Sequence, residues 1–181
     1  MNTNKIELRE WQLSDAASLA ENANNIKIWN NLRDAFPHPY TEKDGKEFIK
    51  MAMAQPKPAV LLAIAVDGKA VGSIGLTLHS DVEHITAELG YFIGEKYWNR
   101  GIMTEVVKEM LTYAFLHFPL QKIYATPFGF NIASQKVLEK AGFEREAILK
   151  KAAIKNGTVI DEHYYSFFRS QWNANVQWQR L

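Results

Sequence analysis

The stretch Tyr97-Trp98-Asn99-Arg100-Gly101-Ile102-Met103-Thr104-Glu105 joins two segments of different patterning. Before it, Ala87-Glu88-Leu89-Gly90-Tyr91-Phe92-Ile93 is apolar enough for a buried strand. After it, Ile102, Val106, Val107, Met110, Leu111, Ala114 and Phe115 recur at helical spacing. A polar loop carrying Arg100-Gly101 is therefore predicted to end a strand and open a helix. A helix start presents unpaired backbone N–H groups and the positive end of the peptide dipole. Gly101 lets the backbone come close to a ligand, and Arg100 adds a full charge. Such a turn suits an anionic group such as a pyrophosphate. An Arg-Gly pair alone is not specific, and the loop is neither a Walker loop nor a Rossmann fingerprint.

The chain has 181 residues, a length that fits one domain, 1–181, with ample chain for a core. Its formal charge of +1 gives no strong field. Bulk electrostatic binding to nucleic acid or to an anionic membrane is not expected, although a local basic pocket is allowed. There is no cysteine, which excludes disulfides, thiolate metal sites and cysteine nucleophiles. That composition is compatible with a reducing, cytoplasmic compartment. The start, Met1 to Glu7, carries no apolar signal core. The longest apolar run, Ala59 to Val66, is too short to span a bilayer. The five histidines show no metal-ligand spacing, so no metal is expected.

Ile6, Leu8 and Trp11 alternate with charged residues and predict a first strand. Ser14 reads as the N-cap of a helix over Ala16 to Asn24. The asparagines around Ile26 to Trp29 weaken helix there, and Phe36-Pro37-His38-Pro39-Tyr40 is irregular. Thr41 with Asp44 predicts a capped helix through Met53. A hairpin follows, Val60 to Val66 and Ala70 to His79, turning at Asp67-Gly68. The strand His84 to Ile93 precedes the Arg100-Gly101 loop and its helix. Lys122 to Thr126 is a short strand, and Asn131 to Lys140 a helix with Gly142 at its stop. Phe143 to Ile154 and Thr158 to Arg169 form a closing hairpin across Lys155-Asn156-Gly157. The tail, 171–181, reads as irregular. The expected fold class is α/β: a mixed, mostly antiparallel central sheet of about seven strands, with helices on both faces.

On the helix from Asn131, the residues Asn131, Ser134 and Leu138 share one face. Its sequence is Asn131-Ile132-Ala133-Ser134-Gln135-Lys136-Val137-Leu138-Glu139-Lys140-Ala141-Gly142-Phe143. Taken with the loop Tyr97-Trp98-Asn99-Arg100-Gly101 and Thr104-Glu105, this helix resembles the GNAT superfamily of acetyl-CoA-dependent N-acetyltransferases. The resemblance is strongest to the ribosomal-protein N-terminal acetyltransferase (RimJ/RimL-like) branch. Phe36-Pro37-His38-Pro39-Tyr40-Thr41 is similar to that branch's acceptor-side segment. Gly157, Asp161, Tyr165 and Trp172 fit its closing hairpin. Three departures stand out: Met103 replaces a usual small residue, Leu138 replaces a tyrosine that many relatives use as general acid, and Pro127-Phe128 is a local variant.

The resemblance implies the GNAT-like acyl-CoA N-acyltransferase fold and acyl transfer from a thioester to an amine. Such chemistry needs a base for the ammonium, donors for the oxyanion and a hydrogen bond for the leaving sulfur. It implies Glu88 as base, direct or through a water, and a backbone N–H near Phe92 or Ile93 as oxyanion donor. Arg100, Gly101, Met103 and Thr104 are implied at the diphosphate, Asn131 at the pantetheine arm, and Ser134 at the departing sulfur. Trp29, Arg33, Asp34, Phe36 and Tyr40 are implied on the acceptor side. The cosubstrate is acetyl-CoA. The acceptor is a protein N-terminal α-amine or a small amine such as an antibiotic or polyamine, and an acyl-CoA-binding module without turnover is the rival of another class. A monomer or homodimer is expected.

Overall fold

Strand β1 (Ile6–Arg9) pairs antiparallel with β2 (Leu61–Val66), Ile6 standing opposite Val66. A two-residue turn at Asp67 and Gly68, with φ of 51° and 80°, leads β2 into β3 (Lys69–Leu78). Two successive positive φ values match the natural twist of a hairpin, which is why Asp-Gly serves there. The computed structural model describes residues 5–172. They fall into two compact units. One holds the described residues through Gly75 together with Tyr91–Ile102. The other holds Leu76–Gly90 and the described residues from Met103 onward.

In the first unit, α1 (Ala16–Ala23), α2 (Ile26–Trp29) and α3 (Glu42–Met53) lie between β1 and β2 in sequence. The capping box of α3 is present: Asp44 N–H donates to Thr41 Oγ1 at 3.2 Å, and Thr41 N–H donates to Asp44 at 2.8 Å. Ser14, however, does not cap α1. It lies inside a 3-10 turn, Leu13–Asp15, in which the Asp15 carboxylate accepts from Gln12 N–H at 3.0 Å. Arg9 clamps the same carboxylate with two bonds of 2.7 Å. Trp11 lies beyond β1 and is buried in the core with Leu19, Ala23, Ile49 and Ala63. The asparagines near α2 support it instead of dissolving it, because Asn25 accepts from Lys27 N–H at 2.8 Å as an N-cap.

β4 (Thr86–Ile93) lies in the second unit through Gly90, and its first three residues run parallel to β5 (Lys122–Ala125). β7 (Thr158–Phe168) is antiparallel both to β5 and to β6 (Glu144–Lys155). The seven strands form one mixed sheet in the order β1-β2-β3-β4-β5-β7-β6. Alternation divides the faces here: Ala87, Leu89, Ile123, Ala125 and Tyr165 are buried, whereas Glu88, Tyr124 and Tyr164 are half-buried. The buried face carries Phe167, whose ring lies 6.1 Å from Phe115 of α4 (Ile102–His117). Helix α5 (Ile132–Ala141) ends at Gly142, with φ of 97° and Phe143 N–H bonded to Leu138 C=O at 3.0 Å.

The closing turn is one residue shorter than expected. Asn156 and Gly157, with φ of 50° and 73°, make it, and Lys155 belongs to β6. Arg169 is not in β7 but opens a 3-10 turn, Arg169–Gln171, where its guanidinium donates to the carbonyls of Phe115 and Phe118 at 3.1 and 2.7 Å. Those bonds end the strand by drawing Arg169 onto the last turn of α4 and the segment after it. Residues 173–181 of the predicted tail lie outside the described residues. Among the described residues no helix is long and apolar enough to cross a membrane.

Candidate active site

The loop after β4 is built to turn sharply into α4. Asn99 and Gly101 both have positive φ, 58° and 78°. Nothing lies within 4 Å of the point where a Cβ on Gly101 would stand, so the backbone there is open to approach. Trp98 Nε1–H donates to Ile93 C=O at 2.8 Å and ties the loop to the end of its strand. Arg100 is exposed, its guanidinium 5.7 Å from the centre of the Tyr97 ring. Ile102 is the first residue of α4, and Met103 and Thr104 follow, half-buried, in its first turn. The expected strand–loop–helix junction is therefore present at the expected residues.

The acceptor-side candidates of the first unit form an aromatic cluster. Phe36 stacks on Tyr40 at 4.9 Å and meets Phe92 edge-on at 5.2 Å. Trp29 Nε1–H donates to Phe36 C=O at 3.0 Å, and its ring lies 5.9 Å from His38. Tyr40 is buried, which with the charge of Asp44 pushes its hydroxyl up to about 12. Its hydroxyl therefore keeps its proton near neutral pH, and its ring is a wall of the cluster. Arg33 and Asp34 are exposed on the turn before Phe36, where Phe36 N–H donates to Arg33 C=O at 3.0 Å. Phe92 and Ile93 end β4 against β3. A Cβ on Gly72 would fall 2.3 Å from Phe92 O, so glycine is required there for the strands to approach.

The second unit holds Glu88, Asn131 and Ser134. Glu88 Oε1 accepts from Thr126 Oγ1–H at 2.9 Å. Tyr124, register partner of Glu88, stacks on Tyr164 at 4.8 Å. His79 Nε2 lies 2.8 Å from Tyr124 OH. Lys122 covers the Tyr164 ring at 4.8 Å and bonds Glu146 at 2.6 Å. Burial raises the Tyr164 hydroxyl above the ordinary tyrosine range; Lys122 opposes the shift, and Glu146 and Glu88 add to it. Asn131 Oδ1 accepts from Ser134 N–H at 3.1 Å, so Asn131 caps α5 as expected. Leu138 is fully buried.

The motifs do not mark Thr126, Tyr124, Tyr164 or His79. Period-two alternation from Lys122 could have placed Tyr124 and Thr126 on one face. Their meeting with Glu88, however, depends on a parallel register that has no local signal. No group of three or more His, Cys, Asp or Glu among the described residues could hold a metal.

Comparison with known proteins supplies a family. The acetyltransferase (GNAT) domain model matches residues 5–144. Over 173 residues the chain is 26% identical to the uncharacterised N-acetyltransferase YnaD of Bacillus subtilis (strain 168), covering 96% of this chain and 99% of that one. It is 25% identical over 173 residues to the ribosomal protein uS5-alanine N-acetyltransferase of Escherichia coli (strain K12), covering 90% and 84%. Among solved structures it resembles the microcin C7 self immunity acetyltransferase MccE in complex with acetyl-CoA and AMP. The TM-score is 0.78 with 25% identity, over 92% of this chain and 93% of that one.

Proposed function

Since this chain belongs to the acetyltransferase (GNAT) domain family and is an N-acetyltransferase, we propose that it moves the acetyl group of acetyl-CoA to a protein N-terminal α-amine. The transfer is direct, within a ternary complex, and residues 1–181 act as one catalytic domain. The observation that carries the acetyl-CoA part of this reading is the open, positive-φ Gly101 beside Arg100 at the start of α4. Backbone N–H groups, the helix dipole and a cation converge there on the needs of a diphosphate. Met103 and Thr104, in the first turn, complete that end of the cosubstrate. Asn131 takes the pantetheine arm.

Glu88 receives a proton from the incoming ammonium, directly or through a water. The neutral amine attacks the thioester carbonyl. The oxyanion is held by a backbone N–H at Phe92 or Ile93. The C–S bond breaks as the attached nitrogen gives up its second proton, which neutralises the departing thiolate, and Ser134 donates a hydrogen bond to that sulfur as it leaves. Leu138, apolar and buried, takes no part. A cytoplasmic location and a monomer or homodimer complete the proposal.

A small planar amine is the second reading. It is favoured by the ring pair of Trp29 and His38 beside Phe36, which offers flat surfaces for stacking. Arg33, Asp34 and Tyr40 belong to the same acceptor side. One experiment separates the two. The purified protein is given acetyl-CoA with peptides bearing free or blocked N-termini, and in parallel with polyamines and aromatic amines. Release of CoA thiol and a mass gain of one acetyl group are followed. Acetylation of free N-termini, abolished by blocking, is expected. Turnover confined to small amines would overturn the N-terminal assignment.

A further inference from the structure

We propose that Thr126 is a positioning residue that orients the Glu88 carboxylate toward the acceptor amine. The inference rests on the reading of Glu88 as base. The parallel register of β4 and β5 ends where Glu88 faces Tyr124. Side chains alternate along β5, so the face that carries Tyr124 also carries Thr126, one residue past the strand end. There the Thr126 hydroxyl donates to Glu88 Oε1 at 2.9 Å.

Three features make that donor rigid. Threonine is β-branched and stiff about χ1. Thr126 precedes Pro127, and a residue before proline is confined to extended backbone. The segment that follows is pinned to β7: His163 N–H donates to Pro127 C=O at 2.9 Å, and Phe128 bridges Glu162. A glutamate on a strand has three rotatable side-chain bonds, so its carboxylate samples several directions when nothing holds it. A bond to one oxygen from a fixed donor selects among them. A proton acceptor must come within roughly 2.6–3.2 Å of its target. An error of about 1 Å in such placement can cost around a hundredfold in rate. Thr126 therefore acts on turnover through Glu88, without touching the reacting atoms.

The test uses Thr126→Val, which keeps shape and branching but removes the donor, and Thr126→Ser, which keeps the donor. Both are measured beside Glu88→Gln and the double variant Thr126→Val/Glu88→Gln, with the amine of highest turnover in the screen above. Expected for Thr126→Val is a fall in kcat of roughly 10- to 100-fold, with KM for acetyl-CoA unchanged and a cooperative melt retained. Thr126→Ser recovers most of the rate, and Thr126→Val adds nothing once Glu88 is glutamine. A second readout needs no acceptor. In protein isotope-labelled at its glutamate carboxyl carbons, the resonance missing in Glu88→Gln should move in Thr126→Val and return in Thr126→Ser. Wild-type turnover in Thr126→Val, an undiminished loss in the glutamine background, or an unmoved resonance overturns the proposal. Failure of the underlying reading has a different signature: Glu88→Gln itself keeps wild-type turnover.

Discussion

At the scale of the single residue, Glu88 combines half-burial with a fixed hydroxyl partner in Thr126. Replacing it by glutamine keeps its size and its ability to accept that bond, yet removes the proposed base. Turnover should fall by roughly 10²–10⁴-fold, the span of a positioned base, while acetyl-CoA affinity stays near normal. The remaining rate should climb with pH, because solvent must then supply the neutral amine. Superimposable rate–pH profiles for both proteins would make Glu88 structural. Asp15 presents the opposite case, a carboxylate used for stability. Burial opposes its charge, but the Arg9 hydrogen bonds, the Gln12 N–H and the Arg9 charge outweigh that and hold it below the usual carboxylate range. A depressed acid contributes stability above its unfolded value, about 3.9. That contribution is lost as pH falls through the folded value. Asp15→Asn should cost about 2 kcal/mol near neutral pH and flatten the acid side of the stability curve. Urea unfolding at several pH values reads this directly, and parallel curves for the two proteins would exclude it.

At the scale of the element, α5 shows one helix start serving two purposes. Asn131 satisfies the Ser134 N–H and, in the proposed reading, also faces the pantetheine arm. Asn131→Ala should lose about 1 kcal/mol of stability together with acetyl-CoA affinity. Ser134→Ala should lower turnover and keep the Asn131 cap, since that bond uses the Ser134 backbone N–H. Equal turnover in wild type and Ser134→Ala removes the hydroxyl from the mechanism. The same distinction between local and distant chemistry decides what could be read in advance. Thr41 with Asp44, Asp67-Gly68 and Gly142 were legible because cap, turn and stop are each satisfied within a few residues. Ser14 misleads because Arg9 recruits the neighbouring Asp15 into a tighter turn. β7 ends before Arg169 because that side chain is drawn to carbonyls some fifty residues away in sequence. In the site, Arg100-Gly101 and the cap at Asn131 are local and were visible. Thr126 reaches Glu88 only through the β4–β5 register, which neither strand encodes alone.

At the scale of the whole molecule, the described residues fall into two compact units. A ligand that binds only the folded chain stabilises it by mass action, whichever amine is the acceptor. Acetyl-CoA at a hundredfold excess over its dissociation constant should add about 2.7 kcal/mol. For a chain of this length that corresponds to a rise in melting temperature of roughly 5–10 °C. The gain should keep growing with the logarithm of ligand concentration. CoA should act similarly, because the diphosphate and pantetheine contacts do not involve the acetyl group. Arg100→Glu should shrink the response by replacing an attractive charge at the helix start with a repulsive one. The unliganded protein should melt near the wild-type temperature, because Arg100 is exposed and its contact with Tyr97 is worth only about 0.5–1 kcal/mol. Raising the salt concentration should weaken binding to the wild type more than to the variant, since screening removes an attraction in one and a repulsion in the other. Melting curves across an acetyl-CoA titration at two ionic strengths measure all of this. A flat response up to millimolar acetyl-CoA would contradict the proposed cosubstrate. A full response in Arg100→Glu would instead move the diphosphate away from the Arg100-Gly101 turn while leaving acetyl-CoA as the ligand.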